Sequence, residues 1–141
     1  RSTLFPYTTL FRSTNRTTQR HCSLPERVNR FISENYMQKL TITQISNALC
    51  LHPNYLMKKY KAESGKSIMQ AVNDKRISEA MKLLLTTEIS IDRISKKIGF
   101  ETPQYFNTVF KKRMGKSPNQ ARREAKASGR RKTDAEPEAE D

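Results

Sequence analysis

Two stretches of the chain hold side chains suited to the edges of base pairs. In the first, Asn54, Met57 and Lys58 follow Pro53; in the second, Gln104, Asn107 and Thr108 follow Pro103. Asn can take an adenine with two hydrogen bonds, Lys can reach a guanine, and Met57 or Pro103 can pack on a thymine methyl. If each stretch is a helix, Leu56 and Tyr60, and likewise Phe106 and Phe110, turn toward a core. The polar set then turns away from it. The competing reading of that set is an ordinary solvated face. Cations crowd the same stretches: Lys61 in the first, and Lys111, Lys112, Arg113 and Lys116 in the second. A core has no use for them, whereas phosphates do. Thr41 and Ser90 open the preceding helices, and the backbone N–H groups there are further candidates for phosphate. Tyr55 and Tyr105 either border the core or bond phosphate, and the core edge is the expectation. Arg76 lies among apolar neighbours, which predicts a structural ion pair or cap rather than a contact with nucleic acid.

Other chemistry finds little support. Ser-Gly-Lys-Ser at 64–67 and Met-Gly-Lys-Ser at 114–117 look like the end of a phosphate-binding loop. That loop needs a glycine five residues before its Gly-Lys, and Tyr60 and Phe110 stand there. Both strings read better as a helix stop followed by a helix cap. No Ser/His/Asp or Cys/His arrangement is suggested, so no catalytic residue is expected. His21 and His52 have no Cys, Asp or Glu set at ligand spacing, so neither a metal nor another cofactor is expected. Cys22 and Cys50 lie far apart with no signal-peptide pattern before them. They are read as reduced intracellular thiols, with Cys50 on an apolar helix face.

Charge narrows the partner. The 27 Lys and Arg against 14 Asp and Glu give a net +13. Asp134, Glu136, Glu138, Glu140 and Asp141 all lie in the last eight residues, so residues 1–133 carry 27 basic against 9 acidic side chains, or +18. Such a body attracts polyanions, nucleic acid or an anionic membrane surface first. No apolar run approaches the roughly 18 residues of a membrane span.

The elements that must position these residues are helical. A length of 141 residues suits one domain, or two very small ones sharing a core. Residues 1–13, RSTLFPYTTLFRS, resemble the translation of a sequencing-adapter oligonucleotide. Residues 1–22 are therefore expected to be artefact or disordered, and the chain to be a fragment of a longer protein. From Ala127 onward a basic patch and an acidic tail predict disorder, because nothing there can be buried. Folded over the basic face, that tail would weaken binding of a polyanion. Between these ends, Ser23-Leu-Pro-Glu26, Thr41-Ile-Thr-Gln44, Ser67-Ile-Met-Gln70 and Ser117-Pro-Asn-Gln120 read as helix caps. His52-Pro53, Ser90 and Thr102-Pro103 open three more helices, and Gly65, Gly99 and Gly115 close helices. No stretch alternates with period two long enough to argue a strand. The class is all-α, with seven helices and a domain over 23–126.

One unit occurs twice. Ile45-Ser46, Leu49 and Leu51 match Ile94-Ser95, Ile98 and Phe100 at an offset of 49. After the turn the offset becomes 50, pairing Pro53, Tyr55, Leu56, Tyr60, Lys61 and Gly65-Lys-Ser67 with Pro103, Tyr105, Phe106, Phe110, Lys111 and Gly115-Lys-Ser117. One extra residue in the second turn explains the change. Each copy, about 41–65 and 90–115, reads as a helix-turn-helix whose second helix suits a major groove. The competing reading of one such unit is a plain helical hairpin. Residues 67–86 as one helix would span roughly 30 Å, near the ~34 Å between successive major grooves on one face of a duplex. The rod would then hold two reading helices at nearly the repeat of DNA.

With those residues in place, the chain resembles the arabinose-regulator (AraC/XylS) family of bacterial transcription factors. The resemblance rests on GFETPQYFNTVFKKRMGKSP at 99–118 and on Arg76, Ile77, Ala80, Leu83 and Leu84 in the connecting helix, and it covers residues 40–124. It implies a seven-helix DNA-binding domain with two helix-turn-helix units joined by a long central helix. It also implies double-stranded promoter DNA as partner, help to RNA polymerase as an activator, action in the bacterial cytoplasm at the nucleoid, and no membrane. Asn54, Met57 and Lys58 match the family's reading positions. Members usually add a sensing or dimerisation domain, often N-terminal, which would be missing here. Two departures stand out: Ser46 and Ser95 replace a common Ala, and Tyr60 replaces a common Phe. Both keep size or aromaticity, so an undisturbed fold is expected. A nonspecific basic nucleic-acid binder, architectural or RNA-directed, would explain the charge but not the repeat.

Overall fold

The computed structural model describes residues 22–133, with side chains through Gly129. The expectations for the adapter-like start and the acidic tail concern residues 1–21 and 134–141 and lie outside the described residues. Among those residues there are seven helices and no strand: α1 Leu24–Asn35, α2 Ile42–Leu49, α3 Pro53–Ser64, α4 Ile68–Thr86, α5 Ile91–Lys97, α6 Pro103–Met114 and α7 Pro118–Thr133. The all-α architecture of two hairpins and a central rod is the one expected.

Each helix starts where its cap chemistry allows. Ser23 with Glu26, Thr41 with Gln44, and Ser67 with Gln70 form reciprocal capping boxes that satisfy two orphan N–H groups apiece. His52 Nδ1 accepts from the Asn54 N–H, and the hydroxyls of Ser90, Thr102 and Ser117 accept from the N–H three residues on. Gly65 and Gly115 stop α3 and α6 in the left-handed region, at φ 78° and 75°. Two expectations need correction. Cys50 is not on a helix face: it is the exposed left-handed cap of α2, at φ 55°. Nor does helix end near residue 126, because α7 continues to Thr133, with residues 126–129 exposed. Its Ala, Lys and Arg residues favour helix, and helix can extend without burying anything.

There are two cores. Val28, Ile32, Ile45, Leu56, Tyr60 and Val72 are fully or almost fully buried in the first. Ile94, Ile98, Phe100, Phe106 and Phe110 fill the second, with successive rings 5.3 and 5.6 Å apart. The two departures from the family pattern are accommodated. Ser46 and Ser95 are wholly buried and donate to the carbonyls of Thr43 and Asp92 at 3.0 and 2.8 Å. The Tyr60 hydroxyl donates to Asn29 Oδ1 at 2.8 Å.

α4 serves both cores with different faces. Ile68, Ala71 and Val72 enter the first core, and Ile77, Ala80 and Leu84 the second. At 3.6 residues per turn the two groups point roughly 150° apart around the helix. The units also touch directly. Arg76, mid-way along α4 and 7% exposed, donates to the carbonyls of Tyr36 and Gln38, both at 2.9 Å, and its guanidinium lies 5.5 Å from the Phe100 ring. It caps the loop after α1, so the cap expected of it is present and an ion pair is not among its contacts with described residues. Burial pulls its pKa below the ordinary arginine value, and it stays charged all the same. Gly99 in the second turn, at φ 95°, backs onto that same loop. A Cβ there would stand 2.5 Å from the Tyr36 carbonyl oxygen.

Candidate nucleic-acid interface

α3 and α6 each bury one side and expose the other. Leu56 and Tyr60 are fully buried, while Asn54, Met57 and Lys58 are exposed on the far side of α3. In α6, Phe106 and Phe110 are buried, Gln104, Asn107 and Thr108 are exposed, and Pro103 at the first helical position is half-buried. Lys61 and Lys111 lie seven residues after Asn54 and Gln104, which at helical period places them on the same stripes. The two stripes are thus Asn54, Met57, Lys58, Lys61 and Gln104, Asn107, Thr108, Lys111, in register at the offset of 50. Thr108 donates its hydroxyl proton to the Gln104 carbonyl at 3.0 Å, so it offers outward only its methyl group and an acceptor. Tyr55 and Tyr105 are about half exposed, at 50% and 51%, and sit beside the stripes. Tyr105 also packs edge-on against Phe100.

The expected phosphate contacts divide. Lys61, Lys111 and Lys112 are exposed, with no carboxylate partner among the described residues. Arg113 and Lys116 have carboxylate partners: Asp74 lies 2.6 Å from Arg113, and Glu124 pairs with Lys116. Each already has a carboxylate beside it, which sequence spacing did not reveal. Thr41 uses its own N–H on Gln44 Oε1, at 2.9 Å. That leaves the N–H groups of Ile42 and Thr43 as donors at the start of α2. Ser90 has an acidic neighbour, Asp92, in the first turn of α5, which opposes an anion there. Residues passed over also emerge. Arg93, Lys96 and Lys97 on α5 are exposed and lack a carboxylate partner among the described residues. The adjacent Lys96-Lys97 pair was the available signal.

Among the described residues no helix is long and apolar enough to cross a membrane, and no group of three His, Cys, Asp or Glu could hold a metal ion. A chemically plain but geometrically ordered surface remains: two congruent polar stripes, one on the second helix of each hairpin. Residues 45–124, more than half of the chain, match the family of the helix-turn-helix domain found in arabinose-type regulators. The chain belongs to the arabinose-regulator helix-turn-helix family.

Relatives within the family agree. The arabinose operon regulatory protein of Escherichia coli K12 is 36% identical over 81 residues, which is 57% of this chain and 28% of that protein. An uncharacterised helix-turn-helix transcriptional regulator of Bacillus subtilis, YisR, is 34% identical over 94 residues, 67% of this chain and 33% of that one. The chain therefore spans about a third or less of these relatives. Among solved structures, the C-terminal domain of the response regulator AraT from Geobacillus stearothermophilus is 37% identical. It superposes with a TM-score of 0.69 over 72% of this chain and 85% of that one. The DNA-binding domain of AdpA, solved in complex with a target DNA, has a TM-score of 0.71 over 76% of this chain and 96% of that domain. At 19% identity it shares the fold alone. In arabinose-regulator terms, α2–α3 and α5–α6 are the two helix-turn-helix units, and α4 is the helix that joins them.

Proposed function

We propose that this chain is the DNA-reading part of a sequence-specific transcription regulator that lays α3 and α6 into successive major grooves of one promoter duplex. The observation that carries this reading is the congruence of the two stripes, each exposed opposite a fully buried pair of core side chains. Asn54, Met57, Lys58, Pro103, Gln104, Asn107 and Thr108 read base edges. Lys61, Lys111 and Lys112 hold phosphates, with the α2 N-terminus at Thr41 as a further contact. Asp92 makes the corresponding contact at Ser90 the weakest of the set. α4, at roughly 28 Å for its length, suits the ~34 Å between grooves. The reading is of a binding protein rather than an enzyme. It acts as an activator with RNA polymerase in the bacterial cytoplasm, as family resemblance supports. The greater length of the relatives supports a sensing or dimerisation domain elsewhere in the whole protein.

Selection of bound fragments from random DNA, followed by competition at physiological salt, tests it. The selected site should outcompete random duplex by about three decades or more. Equal affinity for both would favour a nonspecific basic binder, which the net charge alone would also support.

A further inference from the structure

We propose, resting on the two-groove reading above, that Asp74 is a positioning residue: it clasps the two units and fixes the half-site spacing the protein accepts. Asp74 lies on α4 and uses one carboxylate oxygen for each unit. Oδ2 takes Lys66 Nζ at 2.9 Å, just past the stop of α3, and Oδ1 takes Arg113 Nη1 at 2.6 Å, in the last turn of α6. The partners thus sit just past the end of one reading helix and in the last turn of the other. The three side chains are only partly exposed, at 28% for Asp74, 42% for Lys66 and 33% for Arg113, so water screens the clasp incompletely.

The clasp has a counterpart. Arg76, two residues on, points roughly 160° away around α4. There it holds the α1–α2 loop and Phe100. The units are therefore tied on opposite sides of the rod. A single tie would let them rock about α4; two opposed ties resist it. That resistance matters for reading DNA. Adding one base pair between half-sites moves the second by about 3.4 Å along the duplex and roughly 35° around it. Units locked together cannot follow such a shift, and loosened ones can.

The experiment measures affinity by fluorescence anisotropy on the selected site and on versions with one or two base pairs inserted or removed between the half-sites. The unsubstituted protein should show a sharp optimum. Asp74→Asn should lose about fivefold at that optimum, within what such a pair can supply, and lose less at the neighbouring spacings, flattening the profile. Asp74→Glu keeps both partners and should restore the sharp profile. Arg113→Gln removes one arm and should flatten it partly. Asp74→Asn and Arg113→Gln change net charge in opposite directions, so a shared flattening is not a general electrostatic effect. Thermal melts followed by circular dichroism identify which variants fold; if Asp74→Asn does not, Arg113→Gln decides. A profile that stays sharp, or an equal loss at every spacing, overturns the clasp and leaves the two-groove reading standing. A flat profile in the unsubstituted protein overturns the two-groove reading and the clasp with it.

Discussion

At the scale of single residues, the surface of α3 and α6 sorts into groups with different tasks. Gln104 and Asn54 are exposed, in matching places, and able to hold adenine through two hydrogen bonds. Replacing either with Ala should cost about 1–3 kcal/mol of preference for the selected site and leave random-DNA affinity nearly unchanged. Equal losses on both DNAs would argue against base reading. The cations should separate by salt titration. Lys61→Gln, Lys111→Gln or Lys112→Gln should each lower the log–log salt slope by about 0.9, whereas Lys116→Gln, whose ammonium is held by Glu124, should lower it much less. The outward faces of α3 and α6 were legible in the sequence, because apolar residues at helical period fix which side faces in. The pairing of Arg113 and Lys116 with carboxylates was not. Asp74 lies 39 positions from Arg113, and only the fold brings them together. The hydroxyl of Thr108 was equally hidden, since its bond to the carbonyl of Gln104 depends on a rotamer.

At the scale of elements, caps and glycines set the boundaries. Their chemistry is local, which is why the starts of all seven helices could be read from sequence. The glycines are not equal, however. A Cβ added at Gly65 or Gly115 would meet no atom within 4 Å, but one at Gly99 would meet the Tyr36 carbonyl at 2.5 Å. Gly115→Ala should cost about 1–2 kcal/mol for its left-handed backbone. Gly99→Ala should cost at least about 2 kcal/mol more, because the neighbour is backbone and cannot swing aside. Urea melts of the two variants give the comparison directly. α4 is the element that sequence described least well. Its apolar residues divide between two cores on different sides, and only the packing of both hairpins reveals the division. α7 ran past its expected end for the opposite reason: its exposed residues 126–129 leave no apolar pattern to read.

At the scale of the whole molecule, the two units are joined by polar contacts as well as by α4. Arg76→Met should cost about 2 kcal/mol in a denaturant melt, since it leaves two partly buried carbonyls without their donors. A change near zero would show that water replaces the guanidinium. The distribution of cations without carboxylate partners among the described residues carries one more consequence. The first hairpin offers Lys58 and Lys61 on α3; the second offers Arg93, Lys96, Lys97, Lys111 and Lys112. An approaching duplex therefore meets an uneven field, and the second hairpin should land first, with the other settling afterwards. Stopped-flow mixing of a Lys96→Gln/Lys97→Gln protein should show a slower arrival at low ionic strength and a nearly unaltered departure, the mark of side chains that guide a collision more than they hold its product.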